Sequence, residues 1–265
     1  MREVAAHGKI NVALVVGPTR ADGMHEVTTV LQRIGLADRI SLEPAASLRV
    51  EGYPDTLVTR ALERLAESVG VEPGWAVAIE KAIPVAAGLG GGSTDAAAAL
   101  RLANETLAEP LPAEALHRIA ASVGADVPFF LTGGPQLGEG EGSELTPLDL
   151  PQAFAVLLLL PEGEAKLSTE AVYRDFDARN GAEGYGARCA RLLEALAAGD
   201  LADLPPNDLA SSPLASELRR LGAFRADVSG AGPAVYGLFD EYAAAKAAGR
   251  VLELRGRVWV VPPAW

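Results

Sequence analysis

The chain has 265 residues, 49% of them hydrophobic, with 35 acidic against 23 basic side chains and a net charge of −12. That length can bury one large core or two small ones, and the acidic balance argues against a nucleic-acid partner, which needs a basic face. The single cysteine, Cys189, excludes a disulfide framework or Cys/His zinc spacing; the N-terminus lacks a signal-peptide core and no apolar run nears a membrane span, so a cytoplasmic chain without a membrane partner is expected.

Residues 9–16 predict a strand rich in branched side chains, followed by a turn over 17–23. Residues 28–34 fit either a strand or a helix. Residues 40–43 and 48–51 alternate like half-buried strands, and 57–69 place Leu57, Ala61, Leu65 and Val69 on one helical face. An alternating strand over 75–79 leads to a glycine loop. Helices follow at 94–107, with a small and apolar face that should be buried, and at 114–123. Residues 133–142 are glycine-rich and polar and read as a turn region. The continuous apolar run 154–160 reads as a strand covered on both faces. Further helices are expected at 187–198 and 214–221. A second glycine turn at 227–233 lies between a short strand and a strand over 234–239, before a helix over 241–254 and a last strand at 258–261. Strands and helices mix without regular βαβ alternation, so the class is α+β rather than a doubly wound sheet. A boundary near 148–151 divides the chain into domains 1–149 and 150–265.

The glycine loop runs Pro84, Val85, Ala86, Ala87, Gly88, Leu89, Gly90, Gly91, Gly92, Ser93, Thr94. Glycine reaches positive φ and lets backbone approach a ligand closely. The alanine-rich segment behind it starts a helix whose first N–H groups have no internal partner, and those groups favour an anion. The local physics therefore asks for a phosphate. No lysine follows the glycines, so this is not the usual P-loop. Ser93 or Thr94 could instead serve as helix caps.

Three separated segments, in order, resemble the motifs of the GHMP kinases: the Lys9-x-Asn11 strand, the loop from Pro84 to Thr94, and the turn Ser229-Gly230-Ala231-Gly232. Two more segments resemble one branch, the 4-diphosphocytidyl-2-C-methyl-D-erythritol kinases. They are Arg20-Ala21-Asp22-Gly23-Met24-His25 and Gly124-Ala125-Asp126-Val127-Pro128-Phe129-Phe130; Asn207-Asp208-Leu209 recurs there too. The resemblance covers nearly the whole chain. It implies a ribosomal-protein-S5-like N-terminal domain, a ferredoxin-like C-terminal domain, and an active site between them. It also implies ATP and Mg²⁺ as cofactors. The small-molecule substrate would be a cytidine-diphosphate-linked methylerythritol, phosphorylated on its 2-hydroxyl in the non-mevalonate isoprenoid route.

Carried residue by residue, the resemblance makes Asp126 and Lys9 the catalytic pair. Asp126 lies among apolar neighbours, where a lone carboxylate is costly, so a cationic partner is expected, and the family points to Lys9. Whether Asp126 removes the proton early or mainly positions the hydroxyl stays open. Residues 84–94 would cradle the triphosphate, with Ser93 and Thr94 adding hydroxyl donors or reaching magnesium through water; the sequence identifies no direct metal ligand. Ser229, Gly230, Ala231 and Gly232 would close the phosphate site. Lys81 lies either near the nucleotide or at a solvated strand end. Asn11, Met24, His25 and Tyr173 fall on the substrate side, His25 reading the cytosine edge and Tyr173 stacking on its face. The chain departs from the family at Met24, where a stacking tyrosine is usual, at His7-Gly8, where Pro-Ala is usual, and at Thr56, where Asn is usual. The Met24 departure leaves room for a GHMP kinase acting on another small alcohol; a catalytically silent nucleotide-binding protein on this scaffold is the other alternative. Monomer and homodimer are both compatible with the sequence.

Overall fold

The computed structural model describes residues 1–54, 56–163 and 168–265, which divide into two compact units. The first comprises residues 1–8, 36–85 and 90–133, and the second comprises 9–35, 86–89 and 134–265. Among the described residues no helix is long and apolar enough to cross a membrane.

Strands β1 (Arg2–Thr19) and β2 (His25–Pro44) each run through both units. The predicted strand over 9–16 is longer at both ends. The ambiguous stretch 28–34 is strand, fused with 40–43 into one 20-residue element. Its Val27, Thr28, Thr29 and Val30 are β-branched side chains that suit an extended backbone, and all four are buried.

In the first unit, the C-terminal half of β2 pairs antiparallel with β4 (Trp75–Glu80), Ile40 opposite Ile79. The short β3 (Arg49–Glu51) pairs parallel with β4, and α1 (Thr56–Val69) supplies the crossover between them. Helix α1 buries Val58, Ala61, Leu62, Leu65 and Ala66, a stripe displaced by one residue from the expected face. Leu57 and Val69 lie at its edges, half-buried. It packs on α2 (Gly91–Asn104), where four consecutive alanines, Ala96 to Ala99, are buried and allow close approach. Helix α2 begins three residues earlier than expected. It stops at Asn104, whose side chain holds Leu111 through N–H and C=O bonds of 2.8 and 3.0 Å. Helix α3 (Ala113–Val123) and a 3-10 turn (Pro128–Leu131) complete the unit.

In the second unit, β5 (Gln136–Glu139) pairs with β2 residues 29–31 and with β6 (Glu144–Pro147). The glycine-rich stretch 133–142, read as a turn region, therefore contains a strand. Gly138 serves close packing there: a Cβ on it would stand 3.0 Å from Gly142 O and 3.1 Å from Thr29 Cγ2. Beyond β7 (Ala155–Pro161) come α4 (Thr169–Ala178), α5 (Tyr185–Ala198) and α6 (Pro213–Arg220). Then follow β8 (Arg225–Val228), β9 (Val235–Phe239), α7 (Tyr242–Leu252), β10 (Gly256–Val261) and the short β11 (Pro263–Ala264), which returns to β2. The antiparallel sheet order β10-β7-β9-β8 is that of a ferredoxin-like layer. Its core joins Leu157, Leu159, Val235 and Phe239 of the sheet to Leu218 of α6 and Leu252 of α7.

Candidate active site

The start of α2 is a set of backbone donors. Gly90 is left-handed at φ 71°, which a side chain disfavours, and no side chain caps the helix. Thr94 N–H already bonds Gly90 O at 2.9 Å, so the amides ahead of it, on residues 91–93, belong to the uncapped first turn. Ser93 and Thr94 thus lie inside the helix and do not cap it; Thr94 is buried and Ser93 half-buried. Ahead of the helix, Ala86 holds a positive φ of 63°. A non-glycine residue in that region costs on the order of 1 kcal/mol or more.

In the second unit three of the sequence motifs meet. Lys9 N–H donates to Leu89 O at 2.9 Å. Ser229 Oγ donates to Gly88 O at 2.9 Å and accepts from Asn11 N–H at 3.3 Å. Ala234 N–H donates to Ala87 O at 3.0 Å. Residues 86–89 are thereby stitched to β1 on one side and to the 229–234 turn on the other. Gly88 (φ 82°) and Gly230 (φ 58°) are both left-handed. Asn207, from the Asn-Asp-Leu segment, donates through Nδ2 to Gly230 O at 2.7 Å and to Val228 O at 3.0 Å, fixing the turn. The Lys9 ammonium, 4% exposed as a residue, donates to Asn11 Oδ1 at 2.6 Å. Asn11 Nδ2 donates onward to Thr29 Oγ1 at 2.8 Å, and Thr29 donates to Ala13 O. This chain orients both the lysine and the asparagine. Thr29 carried no signal in the sequence, because a threonine in a strand is ordinary.

Asp126 lies in the first unit, in the turn between α3 and the 3-10 segment. Val127 N–H closes the turn on Gly124 O at 3.0 Å, and the buried Val127, Pro128 and Phe129 anchor it from behind. The carboxylate residue itself is half-buried rather than enclosed. Val127 is helical in backbone and Pro128 stands at the first position of the 3-10 segment, where a missing N–H costs nothing.

The proposed base-reading residues lie in the second unit. The His25 ring is 4.9 Å from the Tyr173 ring, tilted by 31°, and edge-on to Phe176 at 5.7 Å. Its Nδ1 is 2.9 Å from Gly17 O, an acceptor only, so Nδ1 carries a proton. Its Nε2 faces Asp177 Oδ1 at 3.4 Å. Met24, directly before His25, is 48% exposed on the turn between β1 and β2. Tyr185, which sequence reasoning passed over, lies against Gly17: a Cβ there would be 3.1 Å from its ring. Burial pushes the Tyr185 hydroxyl up to about 12, although its bond with Thr28 pulls the other way.

A further cluster in the first unit was only half visible in the sequence. Lys81 Nζ donates to Asp38 Oδ2 at 2.5 Å and to Asp95 Oδ2 at 2.7 Å, and both acids are at most 1% exposed. Burial pulls the Lys81 ammonium down, but its bonds with Asp38 and Asp95 and their charges outweigh this and raise it. Burial pushes the Asp95 carboxyl up to about 7; Lys81 opposes the rise and Asp38 adds to it. In the unfolded chain an aspartate titrates near 3.9, so between that value and about 7 the folded state holds a proton the unfolded state lacks. This contribution to stability is present at low pH and is lost as pH rises through about 7. Urea denaturation from pH 5 to pH 8.5 should therefore show wild-type stability falling relative to Asp95→Asn by at least about 1 kcal/mol, the scale of one pKa unit. Parallel curves for the two proteins would remove the effect.

Comparison with known proteins follows the same outline. The family model of the GHMP kinases N terminal domain matches residues 56–134, and that of the GHMP kinases C terminal matches residues 209–256. A 4-diphosphocytidyl-2-C-methyl-D-erythritol kinase of Desulfitobacterium hafniense (strain Y51) is 39% identical over 97% of this chain and 94% of its own. One from Nocardia farcinica (strain IFM 10152) is 41% identical over 87% and 82%. A crystal structure of 4-(cytidine 5'-diphospho)-2C-methyl-D-erythritol kinase superposes with a TM-score of 0.82 at 32% identity, covering all of both chains. A homoserine kinase structure from Cytophaga hutchinsonii, at TM-score 0.73 and 18% identity, shares the fold. With motifs, fold and relatives matched over most of their length in agreement, this chain belongs to the 4-diphosphocytidyl-2-C-methyl-D-erythritol kinase family, within the GHMP kinases.

Proposed function

We propose that this chain is a cytoplasmic kinase that transfers the γ-phosphoryl group of ATP to the 2-hydroxyl of 4-diphosphocytidyl-2-C-methyl-D-erythritol, in the non-mevalonate route to isoprenoids. The observation that carries the reading is the stitching of residues 86–89 to the Lys9-x-Asn11 strand and to the Ser229–Gly230 turn. No structural requirement of a sheet or helix explains why three distant segments converge on a loop with strained backbone.

In the reaction the bond from the γ-phosphorus to its bridging oxygen breaks, a new bond forms from that phosphorus to the substrate hydroxyl oxygen, and the hydroxyl proton leaves. Such transfer is governed by positioning and charge neutralisation. The uncapped amides of residues 91–93 bind phosphate oxygens. Asp126 orients the attacking hydroxyl and receives its proton, and Lys9, held by Asn11, offsets charge on the transferred group. Ser93 and Thr94 provide hard oxygen donors in the first turn of α2, which suit magnesium approached through water. Magnesium, when bound with the nucleotide, neutralises phosphate charge. Tyr173 and His25 form the face and edge that read cytosine, with stacking worth about 1–3 kcal/mol per base. Met24, exposed beside His25, brings a flexible sulfur-bearing side chain that can pack on a base only weakly.

The test is a panel of alcohols with labelled ATP. Label should pass to the cytidine-diphosphate-linked methylerythritol and, at least about fivefold less efficiently, to the same alcohol without the base, given that stacking energy. Indifference to the cytidine diphosphate group would favour another small alcohol, the alternative that Met24 keeps in view. Nucleotide binding without transfer to any acceptor would favour a silent binding protein.

A further inference from the structure

We infer that Asp38 and Asp95 are positioning residues that hold the Lys81 ammonium at the uncapped start of α2, and that this placement tunes the affinity of that start for nucleotide phosphate. The inference rests on the kinase reading above for its purpose, and on the geometry of the first unit for its substance.

Asp38, in the middle of β2, spends both oxygens on one short stretch of chain. Its Oδ1 accepts from the Ala82 and Ile83 amides at 2.6 and 2.8 Å, and its Oδ2 accepts from Lys81 Nζ at 2.5 Å. Asp95, one turn into α2, accepts from the same ammonium at 2.7 Å. One carboxylate therefore holds the backbone that enters the glycine loop, and the lysine ties that backbone to the helix that leaves it.

The ammonium lies against the helix start. A Cβ on Gly91 would stand 3.2 Å from Lys81 Nζ, so a side chain at the first helical position would displace it. The Tyr53 ring lies 5.8 Å from Nζ. Two of the three ammonium N–H groups serve Asp38 and Asp95, and the side chain keeps 16% exposure, which leaves a third donor beside the first turn of α2, where no side chain caps residues 91–93. A cation beside a helix N-terminus strengthens its attraction for anions.

Stability alone does not account for this arrangement. One carboxylate would satisfy the lysine. A second, fully buried one costs several kcal/mol in desolvation, and here it is incompletely compensated: among the described residues, Asp95 Oδ1 is buried without a hydrogen-bond donor. A local conflict of this kind is expected where function, not stability, sets the sequence. Asp95 is thus retained for where it places Lys81.

The experiment measures ADP affinity by calorimetry, which needs no acceptor, together with KM for ATP, KM for the cytidine-linked substrate and kcat. The variants are Asp38→Asn, Asp95→Asn, Lys81→Met and the two double variants with Lys81→Met. Either acid variant should weaken ADP about tenfold, the usual size of a lost charge-assisted hydrogen bond. KM for ATP should rise in step, while KM for the cytidine-linked substrate stays within about twofold. Neither acid variant should add to the loss once Lys81 is methionine, because coupled residues are not additive. A simple field effect has the opposite sign, since removing a carboxylate near a phosphate site tightens an anion. Tighter ADP binding in Asp95→Asn, or unchanged ADP binding in a folded variant that merely melts earlier, overturns the inference. Should Asp38→Asn fail to fold, Asp95→Asn carries the test, because it leaves the Ala82 and Ile83 bonds intact. Wild-type protein that binds no ADP would remove the kinase reading and this inference with it; wild type and variants that bind ADP equally would remove the inference alone.

Discussion

Asp126→Asn is expected to lower kcat at least about a hundredfold, the usual range for a lost acid–base group, while ADP affinity stays near wild type. The side chains are isosteric, and Val127 N–H on Gly124 O and the buried Phe129 hold the turn that carries residue 126. The substitution therefore removes charge and basicity while keeping the size of the side chain. A loose transition state relaxes the need for early deprotonation, but the proton must still leave, and an amide cannot take it. Single-turnover measurements separate the chemical step from product release. Near-normal single-turnover rates in a variant that binds ADP would take Asp126 out of its assigned role.

The second large effect belongs to Gly88→Ala. At φ 82° an L side chain is disfavoured by about 1–2 kcal/mol. In addition, the new Cβ would stand 2.2 Å from Ser229 O, a backbone atom held in the turn that Asn207 fixes. Overpacking of this kind adds about 1–3 kcal/mol when the neighbour can shift at all. The seam between residues 86–89 and 229–234 should open, with loss of the Ser229–Gly88 bond, a lower melting temperature and a collapse of turnover. Gly70→Ala is the control. Gly70 is also left-handed, at φ 69°, but a Cβ there meets nothing within 4 Å, so it incurs the strain without the clash. If the two variants are equally stable and equally active, the seam has no role in catalysis.

Most elements were legible from spacing. Helices α1, α3, α5 and α6 and strands β4, β7 and β9 fall within a few residues of their predicted bounds, because each has a strong apolar period of its own. Helix α4 and the 3-10 turn at Pro128 went unread as elements. The first starts from a Ser168 cap on Ala171 N–H and buries only Val172 and Phe176, too few apolar positions for a clear period. The β5–β6 hairpin was hidden by its glycines. Gly138 looks like a turn former in isolation, and only the proximity of Thr29 shows it as a place where bulk cannot fit.

The sequence alone determined the local chemistry: a glycine-rich bend followed by an uncapped helix, a Lys-x-Asn strand, an Asp-Val-Pro-Phe-Phe turn and the family these define. Those features are readable because backbone conformation and helix starts depend on residues within a few positions of one another. Tertiary structure decided the partners. Lys81 meets Asp38 and Asp95 across 43 and 14 residues of chain, Ser229 meets Gly88 across 141, and His25 packs on Tyr173 while Met24 turns outward. A charge or a hydroxyl has no period to announce its partner; the pairing is fixed only when the topology brings distant strands and helices within hydrogen-bond range and excludes the water that would otherwise satisfy them.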